Sequence, residues 1–190
     1  MSVPERTSEA PIDSMFIERW SPRAFSTRPL SDQIVRSLFE AARWAPSCFN
    51  AQPWLFAYAV SESGRAKIAG VLVPQNQIWA AKAPLLIIVF ARRNFAHNGK
   101  PNAWHSFDAG AAWMSLALQA HKLGLVAHAM AGFDPEKAYS ALAVDKEQYA
   151  AIAAVAVGYH GDPAELPAPL REREVPSGRS AISEKLLLIE

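Results

Sequence analysis

Nine consecutive residues, Ala83 to Ala91 (APLLIIVFA), carry no polar side chain. The run is too short to cross a bilayer, which takes about 20 residues. Rich in Leu, Ile and Val behind Pro84, it reads as a strand over Pro84 to Phe90. Because every position is apolar, that strand is expected to be buried on both faces of its sheet. A second segment tightens the constraint. Ser106 to Leu123 reads as a helix that is apolar nearly all round, which belongs in the middle of a structure or in a subunit interface. Composition adds the boundaries. The 190 residues suit one domain, spanning 1–190, and 51% hydrophobic with 19% charged residues is a globular balance. Nineteen Lys and Arg against eighteen Asp and Glu leave +1, so no basic field is available for nucleic acid. Cys48 is the single cysteine, so no disulfide forms within the chain, and a reducing, cytoplasmic setting is expected. Residues 1–14 (MSVPERTSEAPIDS) carry acids and prolines where a signal peptide needs a basic start and an apolar centre; a loose leader is expected, with no membrane segment.

Met15, Phe16, Ile17 and Trp20 can share a face of a short helix running into Ser21-Pro22-Arg23. A better marked helix starts at a Ser31 or Asp32 cap, carries Ile34, Val35, Leu38, Phe39 and Ala42, and stops before Pro46. Strands are expected at Trp54 to Val60, Leu125 to Met130 and Ala151 to Tyr159, a helix at Pro135 to Leu142, and a terminal strand at Leu186 to Ile189. Lys122 and Gly124 close the long helix. Arg92 to Pro101 reads as a polar loop, and Gly161 to Ser180 as a charged, proline-rich connection. Helices alternating with strands imply α/β or α+β.

Several chemistries are missing from the text of the chain. His97, His105, His121, His128 and His160 form no HExxH or other close pair, so no metal site is expected. GxGxxG, GxxxxGK[ST] and GxSxG are also absent. Two constellations remain. In Arg19-Trp20-Ser21-Pro22-Arg23 two guanidiniums flank a hydroxyl, a set suited to a phosphate; on spacing alone the better reading is two solvated arginines at a helix end. In Ala45-Pro46-Ser47-Cys48-Phe49-Asn50-Ala51-Gln52-Pro53-Trp54 a small polar loop offers amides and hydroxyls to a planar heterocycle, or simply satisfies its own backbone.

In combination, ERWSPRAF, a helix, and APSCFNAQPW before a strand resemble the nitroreductase family of flavin-dependent enzymes. Asn76, the Ala131-Gly132 pair in GLVAHAMAGFD, and Arg171-Glu172-Arg173 follow in the family's order. The resemblance implies an α+β fold with a mixed central β-sheet flanked by helices, an intertwined homodimer, and FMN in sites at the subunit interface. Residues 161–190 would then form a C-terminal arm reaching the partner subunit. Carried over by position, Arg19, Trp20, Ser21 and Arg23 serve the phosphate and pyrimidine end. Pro46, Ser47, Cys48 and Asn50 belong to the loop given to the other subunit's flavin. Asn76 meets the ring edge, Ala131 and Gly132 face N5 and O4, and Arg171 with Arg173 form the basic pair at the phosphate. Arg179 lies outside the pattern and is expected to contribute little.

The implied function is transfer of hydride from NAD(P)H to flavin N5, then to a small acceptor, a nitroaromatic, quinone or activated alkene, by a ping-pong scheme. The flavin is then the catalyst, and no side-chain nucleophile is needed. Trp79, Trp104, His105 and Phe107 are pocket candidates, or else core and interface aromatics at helix ends. The stretch from Pro84 to Asp108 is compact, whereas many members carry extra helices there. Two other readings stay open: a protein that holds, senses or degrades FMN without turnover, and a cofactor-free dimer with surface arginines.

Overall fold

A computed structural model describes residues 6–189. Its centre is the apolar run, which forms strand β2 (Leu85–Arg92). β2 lies between β1 (Trp54–Ala59) and β4 (Tyr149–Gly158), and β3 (Val126–Met130) pairs with the far side of β4, giving the order β1-β2-β4-β3. Every pairing is antiparallel. The expected mixed sheet is therefore purely antiparallel within one chain. The connections from β1 to β2 and from β3 to β4 each leave and re-enter the sheet at the same end, which permits only that direction.

The period-2 alternation of β2 explains its uniform apolarity. Leu85, Ile87, Val89 and Ala91 face one layer, made by α2 (Asp32–Arg43) and α5 (His105–Lys122). Leu86, Ile88 and Phe90 face the other, where Ile68 of α3 (Glu62–Ala69), Trp79 of α4 (Pro74–Ala80) and Tyr139 of α6 (Pro135–Leu142) pack. Where α5 crosses the sheet it presents Ala109, Ala112, Ala117 and Ala120, small enough to let the helix approach closely.

Helix ends follow their side-chain signals. Ser31 accepts the Ile34 N–H at 3.3 Å to start α2, Asp134 accepts that of Lys137 at 3.1 Å to start α6, and Gly124 ends α5 at φ +70°. Helix α1 (Met15–Glu18), α2, α5 and α6 lie where the sequence puts them. Helices α3 and α4 fall outside the sequence reading, although Ser61 accepts the Gly64 N–H at 3.2 Å to start α3 and Pro74 opens α4. Ile68 is the buried residue of α3, so its apolar periodicity is too thin to read. The last helix, α7 (Ala168–Arg171), is one turn inside the connection.

Two further expectations are corrected. Leu186 to Ile189 is not a strand; it follows a single turn at Ile182–Lys185 and is 68–84% exposed, with no sheet edge of its own chain beside it. The leader, of which residues 1–5 lie outside the described residues, is not loose throughout: Glu9 accepts the Ile182 N–H at 3.2 Å. Among the described residues no helix is long and apolar enough to cross a membrane.

The segment after α1 is stitched to the end of β4. Ser26 N–H donates to the Tyr159 carbonyl at 2.9 Å, and Gly161 N–H to that of Ala24 at 2.9 Å. A Cβ on Gly161 would lie 2.6 Å from the Phe25 carbonyl carbon and 2.8 Å from the Ser26 nitrogen, so two backbones touch where only glycine fits. Gly161→Ala should therefore destabilise the fold by about 1–3 kcal/mol, the usual cost of overpacking, read from the denaturant midpoint. An unchanged midpoint would show that the crossing yields freely.

Candidate functional site

The stitched segment carries the first constellation, and a buried carboxylate fixes it. One oxygen of Glu174 accepts the N–H groups of Arg23 at 2.6 Å and Ala24 at 2.7 Å. Its other oxygen stands 3.9 Å from Arg23 Nη1, the side chain being 1% exposed. Glu174 thus joins the early arginine segment to the late basic one. Between them opens a cavity of about 870 Å³, lined by Arg19, Trp20, Ser21, Arg23 and His128 on one side and by Arg173 and Arg179 on the other.

The electrostatics of this cavity are one-sided. Arg6, from the leader, also lines it, and the carboxylate among the lining residues is Glu172. Burial first, then the charges of Arg179 and Arg6, hold the Arg19 guanidinium below its ordinary pKa. Arg19 Nε is buried without a hydrogen-bond partner, and Arg19 Nη1 reaches Ser21 Oγ at 3.5 Å. His128 on β3 donates from Nδ1 to the Pro22 carbonyl at 2.9 Å. Burial pushes the His128 pKa down, as does Arg23 nearby. Trp20 meets His160 edge-on at 5.7 Å. Several guanidiniums in a partly dry cleft, short of counter-charge, form a receptor for an anionic group, above all a phosphate.

The remaining expected residues are dispersed. Arg171 is exposed in the last turn of α7 and does not line the cavity, whereas Arg173 does. Asn76 Nδ2 donates to the Gly132 carbonyl at 3.0 Å, and a Cβ on Gly132 would lie 2.5 Å from that nitrogen. A side chain at 132 would displace the Asn76 amide from that carbonyl. Ala131, just beyond β3, is exposed. Trp79 is not a pocket wall: it is 2% exposed, stacked 6.1 Å from Phe25 and packed 4.6 Å from His128, which it supports from behind.

Pro46, Ser47, Cys48 and Asn50 lie away from the arginine cavity. Their loop is strained: Phe49, Asn50 and Gln52 all hold φ between +46° and +53°. Asp108, buried in the first turn of α5, accepts the Cys48 N–H at 3.1 Å, and Ser47 Oγ accepts that of Gln52 at 3.0 Å. The result is an 82% exposed Phe49 edge-on to Phe95 at 5.8 Å, beside His97. Trp104 and Phe107, near the start of α5, are 58% and 76% exposed. His105 beside them is half-buried, its pKa lowered by burial and then by Arg93. Arg6, His128 and Glu174 escaped the sequence reading, and Arg179, placed outside the site by that reading, lines the cavity. They sit in no motif, and only tertiary contact groups them.

A helix-flanked antiparallel sheet with a cationic small-molecule cavity at its edge defines the class. The chain belongs to the nitroreductase family, whose profile matches residues 17–78 and 72–159. A protein of Stenotrophomonas maltophilia K279a, provisionally named NADH dehydrogenase/NAD(P)H nitroreductase, is 29% identical, with 83% of this chain and 88% of the relative aligned. A solved oxidoreductase containing FMN is 43% identical at a TM-score of 0.91, covering 96% of this chain and 93% of its own. A provisionally named nitroreductase of Desulfovibrio desulfuricans, solved with FMN, is 26% identical at a TM-score of 0.74 over 96% and 99% of the two chains.

Glu174 offers a direct test of how the site is held. Glu174→Ala strands two backbone N–H groups, each costing about 1–3 kcal/mol when buried and unpaired. A fall in Tm of several degrees is expected, while Glu174→Gln, which keeps an accepting oxygen, should lose much less. Equal losses for both variants would mean that packing, not acceptance, is what Glu174 supplies.

Proposed function

We propose that the protein is an FMN-dependent NAD(P)H oxidoreductase that works as a homodimer. The observation that carries this is the cavity lined by Arg6, Arg19, Arg173 and Arg179, in which Arg19 Nε is buried without a hydrogen-bond partner. A phosphate dianion supplies what that arrangement lacks, so the residues present fit a flavin mononucleotide. No glycine-rich pyrophosphate loop accompanies them, which favours FMN over FAD. The FMN held by the 43% identical structure points the same way. When bound, FMN accepts hydride from NAD(P)H and passes it to a small electron acceptor.

The chain's own residues bind and orient. Arg19 and Arg173 hold the phosphate, with Ser21 as a neutral donor beside them. Arg23, its backbone fixed by Glu174, places a cation toward the pyrimidine end, where negative charge is favoured. His128, held by the Pro22 carbonyl and kept neutral by burial, presents a polar ring without adding charge. Reductant and acceptor use the same cleft in turn, a ping-pong order; nitroaromatics, quinones and activated alkenes are the acceptor classes such a cleft suits. NAD(P)H as reductant and one free thiol agree with a cytoplasmic setting.

The dimer follows from what one chain leaves uncovered. The Ser47–Asn50 loop is rigidly built yet lies away from the arginine cavity, so it is assigned to the flavin of a second copy. Exposed Phe49, Trp104, Phe107 and Leu186 to Ile189 give that copy apolar surface, and the C-terminal arm embraces it.

The purified protein should be yellow, release FMN identified by mass, and bleach anaerobically with NADH or NADPH. A yellow protein that neither nucleotide bleaches would instead hold flavin without turnover. Arg19→Ala and Arg173→Ala should each weaken FMN by about one to two decades, through loss of bonds worth about 1.5–3 kcal/mol. Deleting the residues after Ser183 should lower dimer stability and flavin content together, followed by light scattering and absorbance. A truncated monomer that stays folded and fully loaded would overturn the shared site.

A further inference from the structure

The segment from Ser47 to Gln52 is nearly self-contained in its hydrogen bonding. Asn50 N–H donates to the Ser47 carbonyl at 2.9 Å, and Ala51 N–H to that of Cys48 at 3.0 Å. Gln52 N–H donates to Ser47 Oγ at 3.0 Å, and Gln52 Nε2 to the Asn50 carbonyl at 3.1 Å. Among the described residues, a single hydrogen bond ties the segment to the rest of the chain. It runs from Cys48 N–H to Asp108 Oδ2 at 3.1 Å, across 60 residues of sequence.

Asp108 is 3% exposed, and among the described residues no Lys, Arg or His nitrogen lies within 4.0 Å of its carboxylate. A buried carboxylate without a counter-ion is costly. The start of α5, whose dipole favours an anion, and the Cys48 N–H offset that cost. Directly after Cys48 the backbone is strained. Phe49 and Asn50 both hold φ +53°, in a region that an aromatic residue rarely adopts. Released from Asp108, the turn has no outside hydrogen bond to keep it from relaxing. Asn50 is exposed and its side-chain amide has no partner among the described residues, so the turn decides where that amide points.

We propose that Asp108 is a positioning residue for the flavin site of the other subunit. Its carboxylate, through the Cys48 N–H, fixes the Ser47–Asn50 turn that the partner's flavin meets. The assignment rests on the shared-site reading above and adds a control point to it, because α5 of one chain then sets cofactor affinity in the other.

The test is complementation between subunits, read as FMN binding. Arg19→Ala and Asp108→Ala are made as homodimers, and as a mixed dimer isolated through two different tags. Asp108→Ala homodimers bind FMN about tenfold more weakly than the parent, through loss of one charge-assisted hydrogen bond. Arg19→Ala homodimers are weakened as well. In the mixed dimer one site joins an intact Arg19 to a turn held by an intact Asp108, so half of the sites regain parent affinity. Asp108→Asn, which keeps an accepting oxygen, binds FMN like the parent. Equal losses in Asp108→Asn and Asp108→Ala overturn the proposal. So do Asp108→Ala homodimers that bind as tightly as the parent, or that lose its far-UV circular dichroism, which marks a role in the fold. A parent chain that binds no FMN, binds it as a monomer, or keeps its affinity in Arg19→Ala overturns the reading above and this assignment together. A dimeric parent that binds FMN, with no parent-like site in the mixed dimer, overturns the assignment alone.

Discussion

One buried carboxylate holds the candidate site in register. Glu174 accepts two successive backbone N–H groups, those of Arg23 and Ala24, across 151 and 150 residues of sequence. Without it those donors have no partner in a region closed to water, and the Arg19–Arg23 segment loses its link to the strip bearing Arg173. The position of the arginines relative to one another depends on that contact. Charge enters twice: the carboxylate strengthens its bonds to the N–H groups, and it offsets part of the repulsion among the guanidiniums nearby.

Around this latch the sheet divides the labour. Its doubly buried strand β2 binds a helical layer on each side, and that rigid centre places the arginine cavity at the β3 edge. The Ser47–Asn50 loop takes the opposite strategy. Three residues in left-handed backbone raise its local energy, and hydrogen bonds accepted by Asp108 and Ser47 Oγ hold it there. Strain kept in place by a buried carboxylate sets the direction of Phe49 and its neighbours.

Much of the fold is legible because burial writes a period into the chain. Strand β2, helix α2 with its Ser31 cap and helix α5 with its Gly124 stop follow from apolar spacing and end signals. Helices α3 and α4 do not, since each buries too few residues to stamp a pattern. Sheet direction was not legible in the residues, because period-2 apolarity reports cover on two faces and is silent about neighbouring strands; the mixed sheet came from the family resemblance, and within one chain the pairings are antiparallel. In the site, Arg19, Ser21, Arg23 and Arg173 were legible through motif, and the cavity gathers them. Arg6, Arg179 and His128 become visible only when segments far apart meet. Trp79 stayed open between pocket and core for a related reason: an indole beside a polar site and an indole behind it look the same in sequence.

The Gly161 crossing has a consequence for the order in which the molecule is made. The segment from Ala24 to Ser26 is fastened to Tyr159 and Gly161, and then to Glu174, none of which exists when the first third of the chain leaves the ribosome. Strand β2, likewise, waits for β4 to complete its second edge. Synthesis therefore exposes the arginine segment first and settles it last. Until nearly all residues have emerged, the segment that bears Arg19 and Arg23 has none of these backbone partners.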